Sequence, residues 1–486
     1  MLFMGVDVGT QGVRAIVVTE TGNVITSNSV NFENINQATA LGYCEQNPEM
    51  WWRCACQTIV KAINDIKNLG FSSEDIIAIS VDGTSGTILP LDKDNKPLFN
   101  GIMYNDVRSK SEAATLHVIG RDYEKNQGYR FNASFALPKI LWIKNNMPAI
   151  YEKTHRIVHQ ADYVVGNLSG EYGISDYSNA LKTGYDLTDE NWPQLINEVG
   201  LDISKLPKII APGEIVGKIS RKAADELGLS TSTYVVAGAT DGYASALAAG
   251  AVHVGDWTTI IGTTLVIKGV SQNKIIDASG NSYSHKLPSG AWMVGGASNV
   301  GGRCLNNRFE KSVFKQMDQK VDLLSPTGIL IYPLVNKGER YPFLDSEAEE
   351  FIVGQPKDDE TLYTALIEGV GYVERLAYDL NIKMGCEIKD EIFTTGGACR
   401  SDEWLKIRAS IMNRAMKVPE VVDATIGTAM IAASKTYFSN LEQAAENMIK
   451  FNKVIEPDKE KSKIYGDLYL KFKESCKLHY KIDWLN

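Results

Sequence analysis

Gly5-Val6-Asp7-Val8-Gly9-Thr10-Gln11-Gly12-Val13-Arg14 stands at the start of this chain, with apolar flanks from Met1 to Met4 and from Val13 to Val18. The alternation predicts two short strands joined by a tight glycine turn. Such a turn aims backbone N–H groups and the Thr10 hydroxyl at one point, which suits a phosphate. The carboxylate of Asp7 beside it suits a magnesium ion bridging that phosphate. An ordinary N-terminal hairpin needs the glycines, but not Asp7, Thr10 and Arg14 at this spacing.

Working outward, the first half alternates strand-like and helix-like segments. Trp51 to Leu69 places Ile59, Ile63 and Ile66 at helical spacing after an Asn47-Pro48 entry signal. Ile76 to Ser80 is a β-branched strand that ends in Val81-Asp82-Gly83-Thr84-Ser85-Gly86-Thr87. Lys139 to Asn145 reads as helix. Tyr234 to Ala239 reads as a buried strand ending in Thr240-Asp241-Gly242. In the second half, Trp257 to Ile267 is again two β-branched strands about a glycine-threonine turn, Gly262-Thr263-Thr264. The echo suggests two domains on one plan. A helix follows around Thr361 to Asn381, then a strand from Glu391 to Thr395 and the turn Gly396-Gly397-Ala398-Cys399-Arg400-Ser401, with a helix from Asp402 to Met412. The stretch from Asp458 on reads as a short polar tail.

The chain's 486 residues exceed one hydrophobic core, so two large domains, or three smaller ones, are expected. A hydrophobic content of 44% against 22% charged residues is that of a globular protein, and a net charge of −9 argues against general nucleic-acid or anionic-membrane binding. Seven cysteines without a paired framework point to the cytoplasm. Cys54 and Cys56 read as small buried apolar residues in a helix. No signal peptide is read in the first residues, and no apolar run has the length of a membrane span.

The usual nucleotide loops are missing. Gly213-Glu-Ile-Val-Gly217-Lys218 is one residue short of a P-loop and lacks the following Ser or Thr. His155 and His159 lie four apart without a third ligand, which is read as structural. Asp241 is the candidate general base: carboxyl ends of strands in α/β sheets face the ligand crevice, and a carboxylate there can accept a proton from an attacking hydroxyl. The competing reading makes it a helix N-cap. Asp82 to Thr87 and Tyr104-Asn105-Asp106-Val107-Arg108 are further polar clusters of the kind a polyhydroxylated ligand needs.

Taken in order, these motifs resemble the FGGY family of carbohydrate kinases. The likeness rests on Asp7 to Arg14, Lys139-Ile-Leu-Trp142, Thr240-Asp241-Gly242, Gly262-Thr263-Thr264 and Thr395 to Ser401. Within the family the chain looks most like the D-ribulokinases, through Val81 to Thr87, Gly173 to Ala180 and Val294 to Asn299; typical xylulokinases have Gly-Gln-Met-His-Gly where this chain has Asp82 to Gly86. The resemblance implies an α/β fold of two actin-like, ribonuclease-H-like domains around a central catalytic cleft, with 1–247 binding sugar and phosphate, 248–486 binding ATP, and C-terminal helices that can pack back on the first domain. It implies ATP-dependent phosphorylation of a ketopentose, most readily D-ribulose, with Asp241 as base. Asp7, Ser85, Asn105, Asp106 and Asp241 would meet the sugar. Thr10, Gln11, Gly12, Arg14, Gly262, Thr263, Thr264, Gly396, Gly397 and Arg400 would meet ATP, and Asp7 the Mg²⁺. No nucleic-acid or membrane partner is implied; a homodimer is left open. The alternatives are a D-xylulose or other polyol kinase, and, in another class, an actin-like ATPase without a sugar.

Overall fold

The computed structural model describes residues 1–33, 42–277, 282–480 and 482–485. They divide into two units. The first comprises Met1–Ala248, His285–Ala291 and Asp423–Ile449; the second comprises Ala249–Ser284, Trp292–Val422 and Lys450–Asn486. The boundary expected at 247/248 falls beside the break after Ala248, and two later segments, 285–291 and 423–449, return to the first unit.

In the first unit, β1 (Leu2–Val8), β2 (Gly12–Thr19) and β3 (Val24–Asn31) form an antiparallel meander. On the other side of β1 lie β4 (Ile76–Gly83), parallel to it, then β6 (Tyr234–Thr240), parallel to β4, with the edge strand β5 (Ile215–Lys218) antiparallel to β6. Strand alternation sorts the side chains of β1. Leu2, Met4, Val6 and Val8 enter a core shared with helix α1 (Pro48–Asn68), whereas Phe3, Gly5 and Asp7 point to the other face. Helix α1 starts where it does because the Asn47 side chain accepts from the Glu49 N–H at 3.0 Å and Pro48 has no N–H to satisfy. Its Ile59, Ile63 and Ile66 are fully buried, each contributing about 1.5–3 kcal/mol by leaving water. Helices α2 (Ala136–Asn146), α3 (Tyr177–Lys182) and α4 (Asp241–Ala248) are among the helices of this unit.

The second unit repeats the plan. Strands β7 (Trp257–Ile261), β8 (Leu265–Ser271) and β9 (Trp292–Ser298) form the meander; β10 (Glu391–Thr395) is parallel to β7, β11 (Ala415–Pro419) is parallel to β10, and β12 (Phe451–Ile455) is the antiparallel edge. Helix α5 (Asp359–Lys383) is tied to α6 (Asp402–Met412) by the Glu374–Arg408 pair, bidentate at 2.7 and 2.8 Å and fully buried. Helix α7 (Ala424–Ala433) belongs to the first unit, and the second closes with α8 (Lys459–His479).

Helix α8 overturns the polar-tail reading. Tyr465, Tyr469, Phe472 and Cys476 recur every three or four residues, and this stripe is buried in the core of the second unit beside Tyr332 and Tyr372. The tail reads as polar on average because its other faces carry lysines and acids. None of the helices among the described residues is long and apolar enough to cross a membrane.

The Tyr465 hydroxyl donates at 2.8 Å to Glu368, a fully buried carboxyl that Thr327 also reaches through its N–H. Burial pushes the Glu368 carboxyl up to about 7. A folded-state value above the unfolded one means that its stabilisation is complete below about 4.5 and is lost as pH rises through about 7. Glu368→Gln should flatten the fall in stability between these limits, a change on the order of 3 kcal/mol from a shift of this size. Urea midpoints measured across that pH range check it; a parallel fall in both proteins would refute the assignment.

Candidate functional site

The first unit gathers its acids at the ends of its parallel strands. Asp7 is the penultimate residue of β1 and Asp82 that of β4; the two are register partners on adjacent strands, so both project from one face. Asp241 follows β6, which is itself parallel to β4, and opens helix α4. Its Oδ1 accepts from the Gly242 N–H at 2.6 Å, so the helix-start reading and the strand-tip reading describe one position.

Helix α7 covers this face. It approaches β1 at Gly5, where a Cβ would lie 2.1 Å from the Thr425 carbonyl oxygen, and meets α4 at Gly427, where a Cβ would lie 2.0 Å from that of Ala244. At this depth the Thr428 hydroxyl donates to Asp82 Oδ2. Asp423 caps the helix, accepting from the Thr425 N–H at 3.0 Å, and pairs with Arg14 at 3.4 Å; Arg14 also stands 3.9 Å from Asp7. Burial, joined by the charge of Asp241 and opposed by Asp82 and Arg14, pushes the Asp7 carboxyl up to about 6. Asp82 is raised well above the usual carboxylate range by complete burial and by Asp7.

Asp7 Oδ1 and Asp82 Oδ1 are buried with no hydrogen-bond partner. Among the described residues no group of three or more His, Cys, Asp or Glu side chains could hold a metal ion on protein ligands alone. Mg²⁺ takes one or two carboxylates and completes its shell with water and phosphate oxygens, and the unpartnered oxygen of Asp7 fits that requirement. The turn after β1 is held by the Gly9 N–H donating to Gly12 O at 3.0 Å and by Gln46 Nε2 donating to Thr10 O at 2.9 Å. Gln11 is exposed and Thr10 and Gly12 are half-buried.

The polyol candidates separate. Ser85, just past β4, has a buried hydroxyl with no partner. Asn105 is exposed on a cavity of about 520 Å³ that Tyr104, Arg130, Asn132 and Ser134 also line. Asp106 reaches the same cavity, but its oxygens accept from the Arg108 N–H, Nε and Nη2 and from the Cys44 N–H. Four donors fill the lone-pair sites of a carboxylate. Direct sugar binding by Asp106 is therefore corrected to a positioning role: it and Glu45 anchor Arg108, whose guanidinium packs over the Tyr43 and Trp142 rings.

In the second unit, the turn Gly262–Thr264 is exposed or half-buried and is buttressed by the Gly302 N–H donating to Gly262 O at 2.8 Å. Gly396 follows the neighbouring strand β10 at φ +95°, where a Cβ would lie 2.4 Å from Ile261 O; only glycine suits both the backbone and the space. Gly397 and Arg400 are exposed on the turn that follows. The structure thus brings Gly262 to Thr264 and Gly396 to Arg400 to adjacent strand ends.

His159 is structural: Nδ1 faces Asp162 at 2.7 Å and Nε2 faces Thr183 at 2.8 Å, all buried. Asp423 and Thr428 escaped the sequence reading, as nothing local marks residues whose partners lie 409 and 346 positions away.

Residues 2–248 match the profile of the FGGY family of carbohydrate kinases, N-terminal domain, and residues 258–436 that of its C-terminal domain. Xylulose kinase of Bacillus subtilis is 28% identical, over 96% of this chain and 95% of the relative; that of Staphylococcus xylosus is 25% identical, over 96% and 98%. A crystal structure of a xyloylose kinase from Brucella ovis superposes with a TM-score of 0.87 at 24% identity, covering 98% of this chain and 99% of that one, which shows the shared fold.

Thr428→Val would keep the shape of α7 and strip a buried carboxyl of its donor. It should destabilise the protein by about 1–3 kcal/mol, read as a lower denaturation midpoint; an unchanged midpoint would show that the bond contributes nothing.

Proposed function

The chain belongs to the FGGY family of carbohydrate kinases, and from that premise we propose that it transfers the γ-phosphoryl group of ATP to the terminal hydroxyl of a ketopentose. The observation that carries this reading is the placement of Asp241 at the tip of β6, in the parallel run with β4 and with β1, whose Asp7 keeps one oxygen unpartnered.

Asp241 orients the acceptor hydroxyl and takes its proton as the oxygen attacks phosphorus. Asp7 is the residue that would hold Mg²⁺, which would supply positive charge against the charge that develops on the transferred phosphoryl group. Thr10 to Gly12 and Arg14 in the first unit, and Gly262 to Thr264, Gly396, Gly397 and Arg400 in the second, are the nucleotide-binding candidates. Ser85 and Asn105 are the polar groups offered to the sugar. Phosphoryl transfer asks a protein for positioning and charge stabilisation more than for covalent chemistry, and this set supplies both.

The relatives named xylulose kinase support D-xylulose as the acceptor. The stretch Asp82 to Gly86 supports D-ribulose, since it departs from the Gly-Gln-Met-His-Gly that typical xylulokinases have there. D-xylulose has the better support. Family membership leaves no ground for the sugar-independent actin-like ATPase.

ADP release from ATP and Mg²⁺ is to be followed with D-xylulose, D-ribulose, L-ribulose, glycerol and no sugar. Stimulation by a ketopentose over the control is expected, and equal hydrolysis in every tube would sink the kinase reading. Asp241→Ala should lower turnover by about 10²–10⁴-fold, the range for a general base, while full activity would remove Asp241 from the role.

A further inference from the structure

The stretch Gly173 to Ala180 supplies none of the groups assigned above to sugar, nucleotide or metal, yet it reaches the strand tip that carries Asp241. Ile174–Asp176 is a short strand, and Asp176 starts α3 as its N-cap. The Asp176 Oδ1 accepts from the Ser178 N–H at 2.8 Å and from the Asn179 N–H at 3.1 Å, and Oδ2 accepts from Asn179 Nδ2 at 2.6 Å. These bonds already complete the start of the helix. The Ser178 hydroxyl adds a fourth, donating to Asp176 Oδ1 at 2.6 Å, which the cap does not require.

That hydroxyl has a second partner. Its one proton is committed to Asp176, which leaves its lone pairs to accept, and they accept from the Thr240 N–H at 2.8 Å. Thr240 is the last residue of β6 and is followed directly by Asp241. The edge strand β5 pairs with β6 from Tyr234 to Val236, and Gly213 and Glu214 carry that backbone pairing on to Ala237. Beyond Ala237, a side chain from α3 takes up the Thr240 N–H. Asp176, Ser178 and Thr240 are each at most 2% exposed, so bulk water does not reach this N–H, and a buried N–H left without a partner is rare.

We propose that Ser178 is a positioning residue for Asp241: anchored by Asp176, its hydroxyl fixes the main chain at Thr240 and thereby the direction from which the Asp241 carboxylate meets the acceptor oxygen. This rests on the kinase reading above and on Asp241 as its base. Ser178 acts through Asp241 and is assigned no contact with sugar or nucleotide. Asp241 is half-buried at a strand tip, so its aim depends on the backbone that carries it. Displacing a reacting group by about 1 Å can cost about a hundredfold in rate.

The test is a double-mutant cycle read in single turnovers, with ATP, Mg²⁺ and the ketopentose that stimulates ADP release, so that slow product release does not mask the chemical step. Ser178→Ala removes the acceptor of the Thr240 N–H. The rate of ADP formation should fall by about tenfold to a hundredfold, with KM for sugar and for ATP unchanged. Ser178→Thr keeps the hydroxyl and should recover most of that loss. In the Asp241→Ala background, adding Ser178→Ala should leave the residual rate as it is, because a group that acts through the base has nothing left to position. An equal fold-loss in both backgrounds would assign Ser178 a general structural role and overturn the proposal, as would full activity of Ser178→Ala or a loss carried by KM. Asn179→Ala removes a bond to the same carboxylate without touching Thr240. It should lower the denaturation midpoint and spare the single-turnover rate; a rate loss equal to that of Ser178→Ala would also overturn the proposal. If Ser178→Ala does not fold, Ser178→Cys, whose thiol is a weak acceptor, must show the same non-additive loss with Asp241→Ala. Full activity of Asp241→Ala, or turnover of no sugar by wild type, would defeat the reading above and this inference together. A loss in Asp241→Ala with none in Ser178→Ala defeats the inference alone.

Discussion

The first unit is built around two carboxyls that water would otherwise solvate. Asp7 and Asp82 sit side by side at the ends of parallel strands, buried beneath α7. Desolvation works against both charged forms, and the charge of Asp7 works against that of Asp82, so the arrangement persists only because the surroundings are fixed independently. The hydrophobic face of β1 against α1 fixes the strand, and the absence of side chains at Gly5 and Gly427 fixes the height of α7. Thr428 then arrives within reach of Asp82 as a consequence of backbone packing. The site's electrostatics are thus set by the packing of elements far apart in sequence.

Two regions of opposite character follow strand ends of that same unit. One is acidic, with Asp7, Asp82 and Asp241, and suits a cation and an acceptor hydroxyl that must lose a proton. The other is rich in donors, with Lys139 and Lys182 around the Ser85-Gly86 turn. A protein that moves a phosphoryl group onto one oxygen of a polyhydroxylated molecule has use for both, because it must activate one oxygen and recognise the others. Arg108 is held by Asp106, Glu45 and two aromatic rings, which fixes its guanidinium in place.

The second unit repeats the sheet plan and uses it differently. Its glycine turns at Gly262 and Gly396 stay open, and its buried polar chemistry is structural: Glu374 with Arg408, and Glu368 with Tyr465 and Thr327. These groups cross-link α5, α6 and α8. The same topology therefore carries a charged site in one unit and a cross-linked core with exposed turns in the other, which is why fold alone could not have assigned roles to the two halves.

By itself the sequence determined the strand-turn-strand openings of both units, the helix from Asn47 onward, the strand tips at Asp7, Asp82 and Asp241, and through them the family. All of these are short-range: apolar spacing, glycine turns and caps are settled by neighbours within a few residues. The stripe of Tyr465, Tyr469, Phe472 and Cys476 was equally legible, and average polarity hid it. Only the tertiary structure decided that Asp423 to Ile449 completes the first unit, that Thr428 serves Asp82, that Asp106 is spent on Arg108, and that two lysines converge on one turn. Those facts depend on which backbones approach closely and on how many donors reach one oxygen, and neither quantity is carried by any local pattern of residues.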